Sequence, residues 1–185
     1  MSSSKVSDRY APLSVAMHWL MLLLLAAVYT CIELSGAFPK NSHGRELLQH
    51  WHFMLGLTVF VLVWLRLASR WFNGVPAIVP EPGHWEQLAA NVMHVALYVF
   101  MIIMPLLGWL TVSAAGKTIP FYGLHLPALL HANKTLAHQI GEVHGTIGNI
   151  GYFLIGLHAA AGLFHHYIRH DNTLHRMLPI LKRAG

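Results

Sequence analysis

The sequence has little charge and almost no cysteine. Only 10% of its 185 residues are Asp, Glu, Lys or Arg, against about 25% in an ordinary soluble domain. The single cysteine, Cys31, excludes an intrachain disulfide and any metal or iron–sulfur site built from several thiolates. The charge that is present is basic, with 12 Lys and Arg against 7 Asp and Glu. This excess fits basic loops on a membrane protein, and no nucleic acid is needed to explain it.

Apolar residues are abundant instead. They make up 55% of the chain, and its mean hydropathy is +0.50. A transmembrane helix needs about 20 mostly apolar residues, and four segments qualify: 13–33, 48–69, 90–113 and 144–167. We therefore predict an all-α membrane protein, a four-transmembrane-helix bundle that forms a single domain over residues 1–185.

The connecting segments are distinguished by proline and polarity. Pro76, Pro80 and Pro82 interrupt residues 71–87, which are predicted to form a loop. Residues 114–143 are too polar to span a membrane. Within them, LPALLHANKTLAHQI (126–140) is predicted to form a short surface helix.

Basic residues predict the orientation. Four spans place both termini on one side of the membrane. That side holds eight basic residues: Lys5, Arg9, Arg66, Arg70, Arg169, Arg176, Lys182 and Arg183. The other side holds four: Lys40, Arg45, Lys117 and Lys134. The positive-inside rule then predicts that both termini lie in the cytoplasm.

Histidine is the most unusual residue, since its 15 copies exceed Lys and Arg together. Seven fall in predicted loops or tails, where a solvated ring is expected: His43, His84, His125, His131, His138, His170 and His175. Eight fall inside predicted spans: His18, His50, His52, His94, His144, His158, His165 and His166. A polar side chain at membrane depth is costly unless it has a partner, so these eight are candidate functional residues.

Helix geometry selects two of them first. His144 and His158 are 14 residues apart, which places them about 21 Å apart along the axis and within ~40° of one face. One helix thus carries two imidazoles at two depths. This spacing suits two cofactors stacked between facing helices of a bundle.

A repeated pattern, H-x-x-x-G, marks three of the histidines: HFMLG (52–56), HGTIG (144–148) and HAAAG (158–162). A residue four positions along a helix lies on the same face. Glycine there clears a flat patch beside the imidazole, as a large planar macrocycle requires. Alternatively, small residues simply allow membrane helices to approach closely.

Depth suggests how the histidines pair. His18 and His158 lie nine and eleven residues from the basic residues that close their spans on the cytoplasmic side, about 14 and 16 Å. His52 and His144 both begin spans on the opposite side. Two histidines are too few for a structural zinc site, but two axial imidazoles suit a b-type haem. The sequence therefore predicts two haem b groups whose iron is ligated by these two pairs.

Three longer blocks closely resemble the bacterial cytochrome b561 family: AMHWL (16–20), HFMLGLTVFVLVWLRL (52–67) and GNIGYFLIGLHAAAGLFHHY with DNTLHRMLP (148–179). The similarity extends over nearly the whole chain. It implies a multi-pass cytochrome of the bacterial inner membrane with two b haems, and the family's ligands map onto the same four histidines.

The resemblance also implies a reaction. The relatives it points to oxidise superoxide to O2 at the periplasmic face and reduce ubiquinone. The predicted outer side holds four Lys or Arg and four histidines but only three carboxylates: Glu33, Glu46 and Glu142. A mildly cationic surface attracts an anion, although polar outer loops are expected in any membrane protein.

Quinone reduction requires protons, and His165 is the candidate to relay them. It lies seven residues beyond His158, about 10 Å nearer the cytoplasm and within ~20° of the same face. An imidazole there can hydrogen-bond a quinone carbonyl and deliver a proton. His165 also matches a family position; the alternative is an interfacial histidine at a helix end. His94 and His166 are secondary candidates for this pocket.

Two other functions remain open. One is a cytochrome b subunit that passes electrons between a partner dehydrogenase or hydrogenase and the quinone pool, although the short loops offer little docking surface. The other is a non-redox channel or transporter, which predicts a colourless protein with polar residues along a pore.

Overall fold

The computed structural model describes residues 9–178, which contain four α-helices and one β-hairpin. The helices are α1 (Pro12–Gly36), α2 (His43–Asn73), α3 (His84–Ala114) and α4 (Lys134–Tyr167), and the strands are β1 (Ile119–Phe121) and β2 (Leu124–Leu126). All four helices are long and apolar enough to cross a membrane. The predicted all-α, four-helix membrane architecture is confirmed.

All four helices begin before their predicted spans, and three of them begin at least five residues earlier. α2 starts five residues before residue 48, α3 six residues before residue 90, and α4 ten residues before residue 144. An apolar run marks only the part of a helix that lies in hydrocarbon. The polar first turns therefore extend beyond it, and they include the exposed histidines His43, His84 and His138.

The predicted surface helix over residues 126–140 is wrong. Asn133 caps α4 by accepting a hydrogen bond from the Leu136 N–H at 3.0 Å, so residues from Lys134 onward belong to α4. The preceding residues form the hairpin, whose turn places Tyr122 (φ 48°) and Gly123 (φ 84°) in left-handed conformations. Such two-residue turns match the twist of paired strands.

The two ends of the bundle differ. We call the end that carries residues 9–12, the α2–α3 loop and residues 168–178 the terminal end, and the opposite end the hairpin end. The terminal end is tied together by side chains: Trp19 donates to the Met177 carbonyl at 2.9 Å. In addition, the Asn172 side chain accepts from the Val79 N–H at 2.9 Å.

A gap separates α4 from the first two helices. α1 packs on α2, α2 on α3, and α3 on α4, but within residues 9–178 no Cα of α4 lies within 8 Å of a Cα of α1 or α2. Side chains bridge this gap at mid-depth, where the Tyr29 hydroxyl donates to the Gly148 carbonyl at 2.7 Å. Five buried residues pack nearby: Met21, Val59, Val63, Phe100 and Met101.

Candidate functional site

At the hairpin end, His52 of α2 faces His144 of α4 across the gap. Their ring centres are 6.2 Å apart and their planes are inclined at 79°. His52 Nδ1 lies 3.0 Å from the Val28 carbonyl oxygen. Because a carbonyl only accepts, Nδ1 carries the proton, and Nε2 of the neutral ring is unprotonated. Ligating histidines in metal proteins are commonly oriented by such a hydrogen bond.

An apolar cavity of about 190 Å³ opens beside this pair. Four glycines line it: Gly56, Gly108, Gly145 and Gly148. A Cβ added at Gly56 or Gly145 would meet no atom within 4 Å, whereas one at Gly108 would lie 3.4 Å from Cε1 of the His144 ring. The glycines therefore leave room beside the imidazoles.

At the terminal end, His18 of α1 faces His158 of α4. Their ring centres are also 6.2 Å apart, with planes inclined at 61°. His94 of α3 joins them, with its ring centre 5.6 Å from that of His158. A Cβ added at Gly162, four residues beyond His158, would meet nothing within 4 Å.

Arg66 adds a positive charge to the terminal-end pair. Its guanidinium donates to His18 Nδ1 at 3.0 Å and to the Tyr98 hydroxyl at 3.3 Å. Since a guanidinium has no acceptor, His18 Nδ1 is the acceptor here. His18 thus presents its Nδ1 to a donor, whereas His52 presents its Nδ1 to an acceptor.

The ring spacing tests whether these pairs suit a metal between them. A metal ion held between two imidazoles would lie about 2.0 Å from each ligating nitrogen, and each nitrogen lies roughly 1.1 Å from its ring centre. The two ring centres would then be roughly 6.2 Å apart. Both pairs have this separation. Across residues 9–178 there is no group of three or more His, Cys, Asp or Glu able to hold a bare metal ion. The residues therefore fit a planar iron macrocycle better than zinc.

His165 contacts a carboxylate that the sequence analysis did not identify. Its Nδ1 lies 2.5 Å from Asp171 Oδ2, and the side chains are 16% and 4% exposed. Burial alone raises the pKa of the Asp171 carboxyl, but hydrogen bonds from His165 and Thr173 lower that pKa below its usual value. The signal in the sequence was a lone acid just beyond the end of an apolar helix. Its burial depends on the path of residues 168–178.

Arg176 anchors that segment. It is 5% exposed, donates to the Pro76 carbonyl and lies over the Tyr10 ring at 5.4 Å. Burial lowers the pKa of its guanidinium, and the nearby Tyr10 and Asp171 oppose that change.

Other histidines lie elsewhere. His43, His84 and His138, which were predicted in loops, lie in helices but are exposed, as expected. The His165–Asp171 contact does not include His166, whose ring makes an edge contact with that of His175, with ring centres 5.1 Å apart and planes inclined at 68°. His175, predicted to be solvated, is partly buried.

Three basic residues share one cleft at the hairpin end. Lys40, Arg45 and Lys117 line one cleft together with Glu46 and Gln49. Arg45 precedes His52 by seven residues on α2, which places it about 10 Å farther along the axis and within ~20° of the same face.

Comparison with known proteins identifies the family. A family model described as prokaryotic cytochrome b561 matches residues 9–179. The chain belongs to this family. It is 40% identical over 172 residues to "Cytochrome b561 homolog 1" of Escherichia coli K12, covering 93% of this chain and 98% of the relative. It is 35% identical over 177 residues to "Probable superoxide oxidase CybB" of Yersinia pestis, covering 96% and 98%.

The cytochrome b561 family performs electron transfer in membranes and carries haem b. The predicted family and its membrane helices are therefore confirmed. A more distant relative, "Cytochrome b562" of Cereibacter sphaeroides, is 27% identical over 173 residues, covering 91% of this chain and 94% of the relative.

Proposed function

We propose that this cytochrome binds two b haems, one between His52 and His144 and one between His18 and His158. The observation that carries this proposal is the 6.2 Å ring separation in both pairs, across a gap between helix backbones. Haem bound between the members of each pair would supply reversible one-electron transfer at that site. His52 is already held in the tautomer that leaves Nε2 free. His18 would hold iron through Nε2 with its proton on Nδ1, and Arg66 would then no longer donate to that nitrogen.

The terminal end faces the cytoplasm of a bacterial inner membrane in this proposal. The whole sequence supports it, with eight basic residues on that side against four. Three of the eight lie outside the described residues: Lys5, Lys182 and Arg183. The hairpin end then faces the periplasm.

Superoxide is the proposed electron donor at the hairpin end. The cleft of Lys40, Arg45 and Lys117 presents net positive charge to a small anion, and such a surface speeds encounter. Loss of one electron converts superoxide to O2 without proton transfer. Two superoxide ions therefore supply the two electrons that convert one ubiquinone, with two protons, to ubiquinol.

His165 is the proposed residue that delivers a proton to ubiquinone at the terminal end. It lies two turns beyond His158 on nearly the same face of α4, about 10 Å nearer the proposed cytoplasmic side. Its ring is mostly buried but not sealed from solvent. It can therefore exchange a proton with water and hydrogen-bond a quinone carbonyl.

The test uses the purified protein in detergent. A reduced-minus-oxidised spectrum should show two b haems, and stopped-flow mixing with superoxide should reduce them rapidly until a ubiquinone analogue reoxidises them. Haems that superoxide leaves oxidised would contradict superoxide as the electron donor. They would indicate a protein donor, as in a dehydrogenase-linked cytochrome b subunit. A protein without a haem spectrum after haem-replete expression would contradict the ligand assignment.

A further inference from the structure

The contact between His165 and Asp171 joins the last turn of α4 to the segment that follows it. Oδ2 of the carboxylate lies 2.5 Å from His165 Nδ1, and its Oδ1 accepts from the Thr173 N–H at 2.8 Å. The backbone closes the same loop, because the Asp171 N–H donates to the His165 carbonyl at 3.2 Å. Both carboxylate oxygens therefore have defined partners.

This geometry assigns the protons of the imidazole. An ionised carboxylate only accepts hydrogen bonds, so Nδ1 must donate. The neutral ring then keeps its proton on Nδ1, and Nε2 is the nitrogen that can take up and release a proton. A carboxylate that orients an imidazole in this way also stabilises the ring when it becomes positively charged.

We propose that Asp171 is a positioning residue for His165, which it holds with Nδ1 protonated so that Nε2 donates the proton to ubiquinone. This inference rests on the proposed role of His165 in quinone reduction. In each cycle the Nε2–H bond breaks and an O–H bond forms on the quinone as it is reduced. Water from the cytoplasmic side then returns a proton to Nε2. Asp171 stays ionised throughout.

The surroundings of Asp171 support an ionised carboxylate. Hydrogen bonds from His165 and Thr173 outweigh the effect of burial and lower its pKa. Arg176, on the same segment, interacts electrostatically with Asp171, and it is anchored on the α2–α3 loop through the Pro76 carbonyl. Arg169 and Glu86, 3.0 Å apart at the same end, form a separate ion pair.

The matched control is Asn172→Ala. Asn172 tethers the same segment to the α2–α3 loop by contacts with Val79 and Ala77. If Asp171 only fixed the conformation of residues 168–178, Asn172→Ala would slow haem reoxidation to a similar extent.

The first experiment measures the two half-reactions separately. Asp171→Asn should slow haem reoxidation by a ubiquinone analogue about 10–100-fold through kcat, while haem content and reduction by superoxide stay unchanged. Asn172→Ala should stay within about twofold of the parent protein, and Asp171→Glu should recover part of the lost rate. In a His165→Gln background, Asp171→Asn should cause no further loss, because the two residues act as one unit. Equal slowing by Asn172→Ala, or a further loss in the His165→Gln background, would overturn the proposal.

The second experiment does not depend on quinone activity. ¹⁵N spectra of histidine-labelled protein should contain a signal of an Nδ1-protonated ring that disappears in His165→Gln. Asp171→Asn should shift this signal toward the other tautomer, and Asn172→Ala should not. An unchanged tautomer in Asp171→Asn would overturn the role of Asp171. A quinone rate that His165→Gln leaves unchanged would instead contradict the proposed function of His165.

Discussion

The ring of His52 faces the ring of His144 at 6.2 Å, although no Cα of their helices comes within 8 Å across the described chain. Side chains thus reach across a gap that the backbone leaves open. His18 and His158 repeat the arrangement at the other end of the bundle. In the proposed function, these two pairs of equal spacing would hold one haem each, at two depths of the bundle.

Removal of one ligand should empty one site only. His144→Ala should lose one of the two proposed haems, because the His18–His158 pair lies at the other end of the bundle. Haem-to-protein ratio by pyridine haemochrome measures this. The control is His50→Ala, an exposed residue two positions from His52, which should keep both haems. Full haem content in His144→Ala would contradict the pairing.

Filling the cavity should block haem binding without harm to the helix. Gly56→Leu places a side chain in space where a Cβ meets no atom within 4 Å, and leucine favours a helix over glycine by about 0.8 kcal/mol. We expect a folded protein that lacks the hairpin-end haem. Gly36→Leu, at the end of α1 and equally unobstructed, should keep it. The absorption spectrum and thermal unfolding of both variants decide this.

Loss of the basic cleft should slow the reaction with superoxide. Replacing Lys40, Arg45 and Lys117 together by Gln should lower the second-order rate of haem reduction about tenfold at low ionic strength, because steering of the anion is lost. The difference should shrink as salt screens the charges. Lys134→Gln removes a cation of the same end that does not line the cleft, and it should change the rate little. A loss that salt does not diminish would argue against steering.

The contribution of Asp171 to stability should depend on pH. The pKa of its carboxyl is lower in the folded protein than its ordinary value of 3.8, so the ionised form stabilises the fold above that pH. The contribution is complete at neutral pH and is lost as pH falls below about 4, through the lowered pKa. Asp171→Asn should cost about 1–3 kcal/mol at pH 7.

Thermal unfolding of both proteins in detergent, from pH 7 down to pH 3, measures this. The two melting curves should converge at the acid end. An equal difference at every pH would mean that Asp171 contributes by shape and not by charge.

Much of the architecture could be predicted from the sequence because it depends on local properties. Four apolar runs predicted four membrane helices, and the 14-residue spacing of His144 and His158 predicted that both lie on one helix face. The helix starts were predicted less well, since polar first turns lie outside the hydrocarbon and depend on capping residues such as Asn133. The hairpin at residues 119–126 was missed because its strands are only three residues long.

Contacts between distant segments could not be read from periodicity. The buried Asp171 belongs to a polar-looking stretch, and only the return of residues 168–178 over the terminal end brings its carboxylate to His165. The donation from Arg66 to His18 likewise depends on how α2 is rotated against α1. In the same way, Arg169 pairs with Glu86 although 83 residues separate them.

The sequence by itself determined that this chain is a four-helix membrane protein with histidines at two depths, because hydropathy and helical spacing act within each segment. Only the tertiary structure decided which histidines face each other at what separation, and which carboxylate holds His165. Those relationships depend on the gap between packed helices and on the path of the chain after the last helix ends.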